Sequence, residues 1–78
     1  MSVIDTDTFE FVDDTSSKFY TLELIEADGE FSVKATFGKI GALHPQNAIK
    51  IAGVTKAAAQ KMYDKCVAEK TGKGYVRA

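Results

Sequence analysis

The sequence predicts an α+β domain, an antiparallel β-sheet meander with one α-helix packed across it. Two observations lead to this fold class. Three segments of the 78-residue chain, and a weaker fourth, alternate apolar and polar residues with the period of two that strands show. A single later segment, residues 55–72, carries the capping residues and the alanines of a helix. Strands followed by one helix favour sequential pairing of the strands into one sheet.

The first predicted strand is TFEFV (8–12), in which two phenylalanines alternate with polar neighbours. The acidic and hydroxyl-rich segment DDTSS (13–17) then indicates a turn. We expect residues 1–7 to form a flexible N-terminus, so that a single domain spans residues 8–78.

The next two predicted strands, KFYTLELIE (18–26) and EFSVKATF (30–37), form a hairpin. Asp28 and Gly29 lie between them, and this pair favours a type I′ turn because both positions require a positive φ. Lys34 falls on the solvent face of this hairpin. The register that follows from such a turn places three opposed pairs on the core face: Tyr20 with Phe37, Leu22 with Ala35, and Leu24 with Val33.

Three further elements complete the predicted domain. QNAIKIA (46–52) is a weaker fourth strand, which Gly53 should end. The helix has Thr55 as its N-cap and Gly72 as its left-handed C′ residue. GYVR (74–77) would add a short final strand. The stripe of the helix that faces the sheet should consist of Ala59, Tyr63, Cys66 and Val67.

The composition argues against several classes of protein. The chain has one cysteine and one histidine, so it can form neither an internal disulfide nor the usual four-ligand zinc site. We therefore expect no metal and no cofactor. The N-terminal residues lack the basic and apolar regions of a secretory signal, and no apolar stretch approaches the length of a membrane span. A cytoplasmic protein is predicted.

The formal net charge of −1 hides a division between two halves of the chain. Residues 1–31 carry nine acids against one lysine, a net charge of −8, whereas residues 32–78 carry nine bases against two acids, a net charge of +7. Such asymmetry indicates a face that binds polyanions. The alternative is that the two halves neutralise each other across a small sheet.

The segment FGKIG (37–41) is the main candidate for a functional site. It matches the GxxG loop of KH domains, but that loop joins two helices, whereas predicted strands flank this one. What remains is a strand end where Gly38 leaves the backbone open, Lys39 projects, and Phe37 offers a stacking face to a sugar–phosphate end. The alternative is that Phe37 is buried against Tyr20 while Lys39 is only solvated.

Other residues with chemical potential have simpler explanations. KTGKGY (70–75) follows the helix, which reverses the order of a phosphate-binding loop, so we interpret it as a helix C-cap. His44 is predicted to be a solvated loop residue and Cys66 a buried core thiol. No nucleophile, base and oxyanion site come together in the sequence, so we predict that the protein is not an enzyme.

Three segments in this order, SSKFYTLELIE (16–26), FSVKATFGKIG (31–41) and AEKTGKGY (68–75), resemble the WGR domain, named for its Trp-Gly-Arg signature. The resemblance covers roughly residues 8–78. WGR domains occur in poly(ADP-ribose) polymerases and in bacterial proteins, some very short, so the resemblance implies a small stand-alone module with a WGR-like fold. In the polymerases the module contacts DNA near a strand end.

The resemblance assigns the DNA contact to Phe37 and Lys39, which stand where the signature has tryptophan and arginine. Phe37 lacks the indole N–H and offers less stacking area. Lys39 keeps the charge but lacks the planar guanidinium fork that holds a phosphate with two hydrogen bonds.

We therefore predict a non-catalytic module that binds nucleic acid, DNA rather than RNA, at the backbone or at strand ends. The alternative is a protein-interaction module that binds a protein partner through its acidic N-terminal half or a sheet edge. Neither involves a membrane or a metal. The predicted site combines the Phe-Gly-Lys loop with a lysine patch: Phe37, Gly38, Lys39, Lys34, Lys50, Lys56, Lys61 and Lys65.

Overall fold

The computed structural model describes residues 2–78, which form one antiparallel sheet and one helix. The sheet has the strand order β4-β3-β2-β1-β5, so the first four strands form a meander and the last strand returns beside the first. The α+β fold class and the single helix predicted from the sequence are confirmed. The elements follow the chain as β1 (Ser2–Val12), β2 (Ser17–Ala27), β3 (Glu30–Lys39), β4 (Gln46–Val54), α1 (Lys56–Gly72) and β5 (Val76–Arg77).

Strand β1 begins at Ser2, six residues before the predicted start at Thr8. The segment expected to be flexible is therefore paired with β2 from Ser2 onward, while Met1 lies outside the described residues. The register shifts between Val3 and Asp5, which indicates a β-bulge. This bulge breaks the alternation of apolar and polar side chains, and the sequence pattern therefore did not indicate a strand here.

The hairpin between β2 and β3 has the predicted turn and register. Asp28 and Gly29 have φ values of 53° and 79°, as a type I′ turn requires. Leu24 lies opposite Val33, and the other two predicted pairs are also formed. This register fixes which side chains of β2 and β3 face the helix.

Strand β4 differs from its prediction in two ways that matter for the site. It passes through Gly53, which has a φ of 67°, and ends at Val54. Its register with β3 shifts beside Lys50, because Ile49 pairs with Lys34 whereas Ile51 pairs with Val33. Lys50 is the extra residue of this bulge, and a bulge re-aims the side chain that it carries.

Helix α1 begins at the predicted cap, since Thr55 Oγ1 accepts a hydrogen bond of 3.3 Å from the backbone N–H of Ala58. The prediction for its other end was wrong. Gly72 is the last helical residue, and the left-handed position is Gly74, with a φ of 98°. The chain then turns back, and the N–H of Tyr75 donates to the carbonyl of Lys70 at 3.0 Å. This turn brings the Tyr75 ring beside the sheet.

The core lies between α1 and one face of the sheet. The predicted core pairs are buried except for Phe37, which is only half-buried. On the helix, Val67 is half-buried, whereas the other three residues of the predicted stripe are buried. The buried apolar side chains are Phe9, Tyr20, Leu22, Leu24, Val33, Ala35, Ala59, Tyr63 and Cys66.

Candidate nucleic-acid interface

Four aromatic side chains form a row across one end of the sheet face that carries the helix. In order, this aromatic row consists of Phe37, Tyr20, Tyr75 and Phe11, with successive ring centroids 6.0, 6.4 and 5.5 Å apart. Phe37 and Tyr20 are opposed on β3 and β2, Phe11 lies on β1, and the turn after α1 supplies Tyr75. Tyr20 is buried, whereas the other three rings are half-buried and keep part of their surface in solvent.

Five lysines surround this row, and we refer to them as the lysine cluster: Lys18, Lys39, Lys50, Lys70 and Lys73. The Nζ atom of Lys70 lies 4.4 Å from the centroid of the Tyr20 ring and 5.4 Å from that of Tyr75. Lys18 holds its Nζ atom 5.7 Å from the Phe11 centroid and pairs with Lys39 across β2 and β3. Like charges placed directly opposite each other destabilise a sheet, so this arrangement is not explained by stability.

Three shallow cavities of about 310, 260 and 130 Å³ adjoin one another along the aromatic row. All three are lined by Tyr75, and each is also lined by at least two members of the lysine cluster. No carboxylate lines any of them. These three cavities therefore offer cations and aromatic side chains together without acidic side chains.

No lysine of the cluster forms a salt bridge within residues 2–78, where the salt bridge found joins Arg77 to Asp7, although Asp13 and Asp14 line a further cavity with Lys18 and Lys39. Burial lowers the pKa of Lys70, and the positive charges of Lys73 and Lys50 lower it further. A bound anion would remove this repulsion, because opposite charge favours the protonated amine. The alternative of neutralisation between the two halves of the chain applies in part, since Glu23 lies opposite Lys34 and Asp13 and Asp14 line a cavity with Lys18 and Lys39.

The structure brings half of the predicted site residues together. Phe37, Gly38 and Lys39 form the last residues of β3, and Lys39 is exposed. Lys50 joins them because the bulge in β4 places it in the same cavity as Phe37 and the Lys70 amine. The alternative that Phe37 is buried against Tyr20 holds in part, because the half-buried Phe37 ring packs against the core and stacks on Tyr20 with an interplanar angle of 19°.

The other four predicted lysines lie elsewhere. Lys34 is on the opposite face of the sheet, where its cross-strand neighbour is Glu23. Lys56 begins α1 beside the end of β4, and this end pairs with Phe31, eight residues before Lys39 on β3. At about 3.3 Å per strand residue, Phe31 and Lys39 lie about 26 Å apart along β3, so Lys56 is near the end of β3 opposite to Lys39. Two more lysines, Lys61 and Lys65, are exposed on the part of α1 outside its buried stripe.

Sequence reasoning missed Lys18, Lys70, Lys73 and Tyr75 as site residues. One signal was present, because Lys70 follows Cys66 by four residues and so continues the buried stripe of α1. A lysine in such a position must place its amine at the rim of the buried surface. The Lys70–Tyr75 segment, which the sequence indicates as a helix C-cap, ends the helix and also contributes Lys70, Lys73 and Tyr75 to the candidate interface.

A second polar group connects the helix to the other side of the sheet. The Tyr63 hydroxyl donates a hydrogen bond of 2.6 Å to Asp7 Oδ2, and Arg77 Nη1 donates to Asp7 Oδ1 at 3.2 Å. Burial raises the pKa of Tyr63, and the hydrogen bond to the Asp7 carboxylate raises it further. Because Asp7 lies in β1, Tyr63 in α1 and Arg77 in β5, this group stabilises the packing of three elements.

Tyr63→Phe should lower the free energy of unfolding at pH 7 by about 2 kcal/mol, because it removes a hydrogen bond to a charged group. Since the folded-state pKa of Tyr63 is raised, its contribution is complete below the ordinary tyrosine pKa of about 10 and is lost as pH rises above it. The fall in stability above pH 10 should therefore be shallower in the variant than in the wild type. Urea unfolding monitored by circular dichroism between pH 7 and 11 measures both effects.

The matched control is Tyr75→Phe, since the Tyr75 hydroxyl makes no hydrogen bond to any residue from 2 to 78. This variant should change the free energy of unfolding at pH 7 by less than about 0.5 kcal/mol. If both variants lost the same stability, the Tyr63–Asp7 hydrogen bond would not be the cause.

The histidine, cysteine and carboxylate side chains of the described residues form neither a metal cluster nor a reactive thiol site. Between residues 2 and 78, no three histidine, cysteine or carboxylate side chains come together in a way that could hold a metal ion. Cys66 is buried, and burial raises the pKa of its thiol, so it is a poor nucleophile. Helix α1, which carries Cys66, is the one helix among residues 2–78, and it is not long and apolar enough to cross a membrane.

One helix on one antiparallel sheet, with lysines and aromatic rings gathered at one end, defines a small α+β module with a candidate binding surface. The family model of the WGR domain matches residues 6–78, and the chain therefore belongs to the WGR domain family. WGR domains in general are non-catalytic modules that bind nucleic acid. Searches of curated proteins and of solved structures found no match.

Proposed function

We propose that this chain is a non-catalytic module that binds nucleic acid through the lysine cluster and the Phe37-Gly38-Lys39 segment. The observation that carries the proposal is a set of five lysines, none of which forms a salt bridge within residues 2–78, around half-buried aromatic rings. Lysines neutralise phosphates, and aromatic rings stack on bases or sugars exposed at a strand end. We propose DNA rather than RNA as the ligand because of the resemblance to WGR domains. The proposed contact at the DNA backbone or at strand ends has the same basis.

The predicted lysine patch is revised by this proposal. Lys39 and Lys50 remain in it, and Lys18, Lys70 and Lys73 replace the lysines that lie on other surfaces. Lys61 and Lys65 stay as candidate outer contacts for a long ligand, because both are exposed on the helix. Lys34 and Lys56 are left out of the proposed surface.

Binding to DNA should depend steeply on salt. If all five lysines of the cluster neutralise a phosphate, the logarithm of the association constant should fall against the logarithm of salt concentration with a slope of about −4.5. Between 50 and 200 mM NaCl this slope corresponds to a loss of roughly 500-fold in affinity. Fluorescence anisotropy with a labelled DNA that carries both a blunt end and a single-stranded overhang measures the slope. A slope near zero, or no binding at 50 mM NaCl, would contradict the proposal.

A second candidate function is the binding of a basic protein segment on the acidic side of the molecule. Asp5, Asp7 and Asp64 line a cavity of about 370 Å³ between β1 and α1, with Arg77 as the basic residue among its lining side chains. β5 pairs with β1 only at Phe9 and Glu10, so the outer edge of β1 before them has no strand beside it among residues 2–78. An extended basic segment could pair with such an edge.

A further inference from the structure

We propose that the preferred ligand of this interface is an unpaired nucleic-acid strand, whose bases stack on the aromatic row while its phosphates contact the lysine cluster. This inference rests on the proposed function and narrows it. It names a substrate class, a single-stranded segment, that the family assignment does not specify.

The shape of the aromatic row favours a single strand. Successive ring centroids are 5.5 to 6.4 Å apart, and the rings extend across three neighbouring strands of the sheet and the turn after α1. Bases in a duplex stack on one another and present only their edges to a protein, so a duplex could place at most its terminal pair on one ring. A flexible strand can turn successive bases outward, and stacking of these bases on aromatic rings tolerates any sequence.

The accessible rings are those that a strand would need. Phe37 and Tyr75 line two cavities together, and Tyr75 lines another with Phe11. Buried Tyr20 lies between Phe37 and Tyr75 and supports both, with centroids 6.0 and 6.4 Å away. The row therefore has three partly exposed rings on which bases could stack, with Tyr75 inclined by 45° to Phe11 and by 66° to Tyr20.

The amines above the rings would move to the phosphates when bases arrive. Lys70 lies over Tyr20 and Tyr75, and Lys18 lies over Phe11. In each case the amine makes a cation–π contact with the ring. A base would replace the amine on the ring, and the flexible lysine side chain would allow the amine to reach the adjoining phosphate. Rings and cations would thus act on the same nucleotides.

The test compares a labelled twelve-nucleotide thymidine strand with a labelled blunt twelve-base-pair duplex by fluorescence anisotropy at 50 and 200 mM NaCl. We expect the single strand to bind at least about tenfold more tightly than the duplex at 200 mM NaCl, because stacking does not depend on released counterions. Tyr75→Leu should weaken single-strand binding by about tenfold and leave its salt slope unchanged. The same variant should weaken duplex binding by less than threefold.

Two further variants keep the result interpretable. Tyr75→Trp keeps an aromatic ring and enlarges its face, so it should bind the single strand at least as tightly as the wild type. Phe31→Leu also removes a half-buried aromatic ring from the sheet, but at the other end of β3, and should leave both affinities unchanged. Circular dichroism of each variant serves as the check that it is folded.

The outcomes separate this inference from the proposed function. Duplex binding equal to or tighter than single-strand binding, or an equal loss of both in Tyr75→Leu, would overturn the inference and leave the proposed function standing. Tyr75→Trp binding as weakly as Tyr75→Leu would also overturn it. Absence of binding to either DNA at 50 mM NaCl would overturn the proposed function itself.

Discussion

Replacing Phe9 by alanine should lower the free energy of unfolding by about 4 kcal/mol, because Phe9 is fully buried and its removal leaves a large cavity. Its ring lies opposite Tyr20 on β2 and Arg77 on β5, so it packs where three strands meet the helix. A domain of this size is stable by only about 4 to 12 kcal/mol. The variant should therefore be largely or partly unfolded at 37 °C, as urea unfolding followed by circular dichroism would show.

Val12 provides the matched control for this substitution. It lies on the same strand, but its side chain is 67% exposed. Val12→Ala should cost less than about 1 kcal/mol, since little apolar surface returns to water. If Phe9→Ala cost no more than Val12→Ala, the core would not be centred on the face between the sheet and α1.

The parts of the fold that could be predicted depend on short-range chemistry. Asp28 and Gly29 determined the turn, and the turn determined the pairing of β2 with β3, because register follows from the turn type. The start of α1 was likewise predictable from the cap at Thr55. In each case, the interactions that determine the local structure are made by a few residues that are neighbours in the sequence.

The parts that could not be predicted depend on contacts between distant segments. The bulge beside Lys50 exists only as a mismatch between β4 and β3, so no local pattern indicates that Lys50 joins the site. The left-handed residue after α1 is Gly74 rather than Gly72, and this difference sets where Tyr75 lies. A Cβ atom at position 74 would lie 3.1 Å from the Phe11 ring, which belongs to a strand more than sixty residues earlier.

The same reasoning explains why the candidate site was predicted only in part. Phe37 and Lys39 are adjacent in the sequence and carry the family resemblance, so they could be found together. Lys18 and Lys70 reach the site from β2 and from the end of α1, and the row of rings exists only once the sheet has formed. A tally of charge by halves of the chain cannot show which lysines share a surface.

Reversing two charges of the lysine cluster should have the largest effect on binding. Lys39→Glu combined with Lys50→Glu removes two phosphate contacts and adds two repulsions. Each contact contributes about tenfold to affinity at 50 mM salt, so the double variant should bind DNA at least about a hundredfold more weakly. Both side chains are exposed and form no salt bridge within residues 2–78, so the fold should be retained. Fluorescence anisotropy at 50 mM NaCl, with circular dichroism as the folding check, measures the loss.

The control for this prediction changes the net charge by the same amount at another place. Lys34→Glu combined with Lys56→Glu alters the two lysines that the proposed surface leaves out, and should weaken binding by less than about fivefold through long-range electrostatics, with circular dichroism as the folding check. Equal losses in the two double variants would mean that net charge, and not the surface around the aromatic row, causes the binding. Asp5→Lys combined with Asp64→Lys should leave DNA binding intact or strengthen it. A different result would favour the acidic side of the molecule as the functional surface. The wild type would then bind a lysine-rich peptide but not DNA, and the Asp5→Lys and Asp64→Lys variant would lose the binding of that peptide.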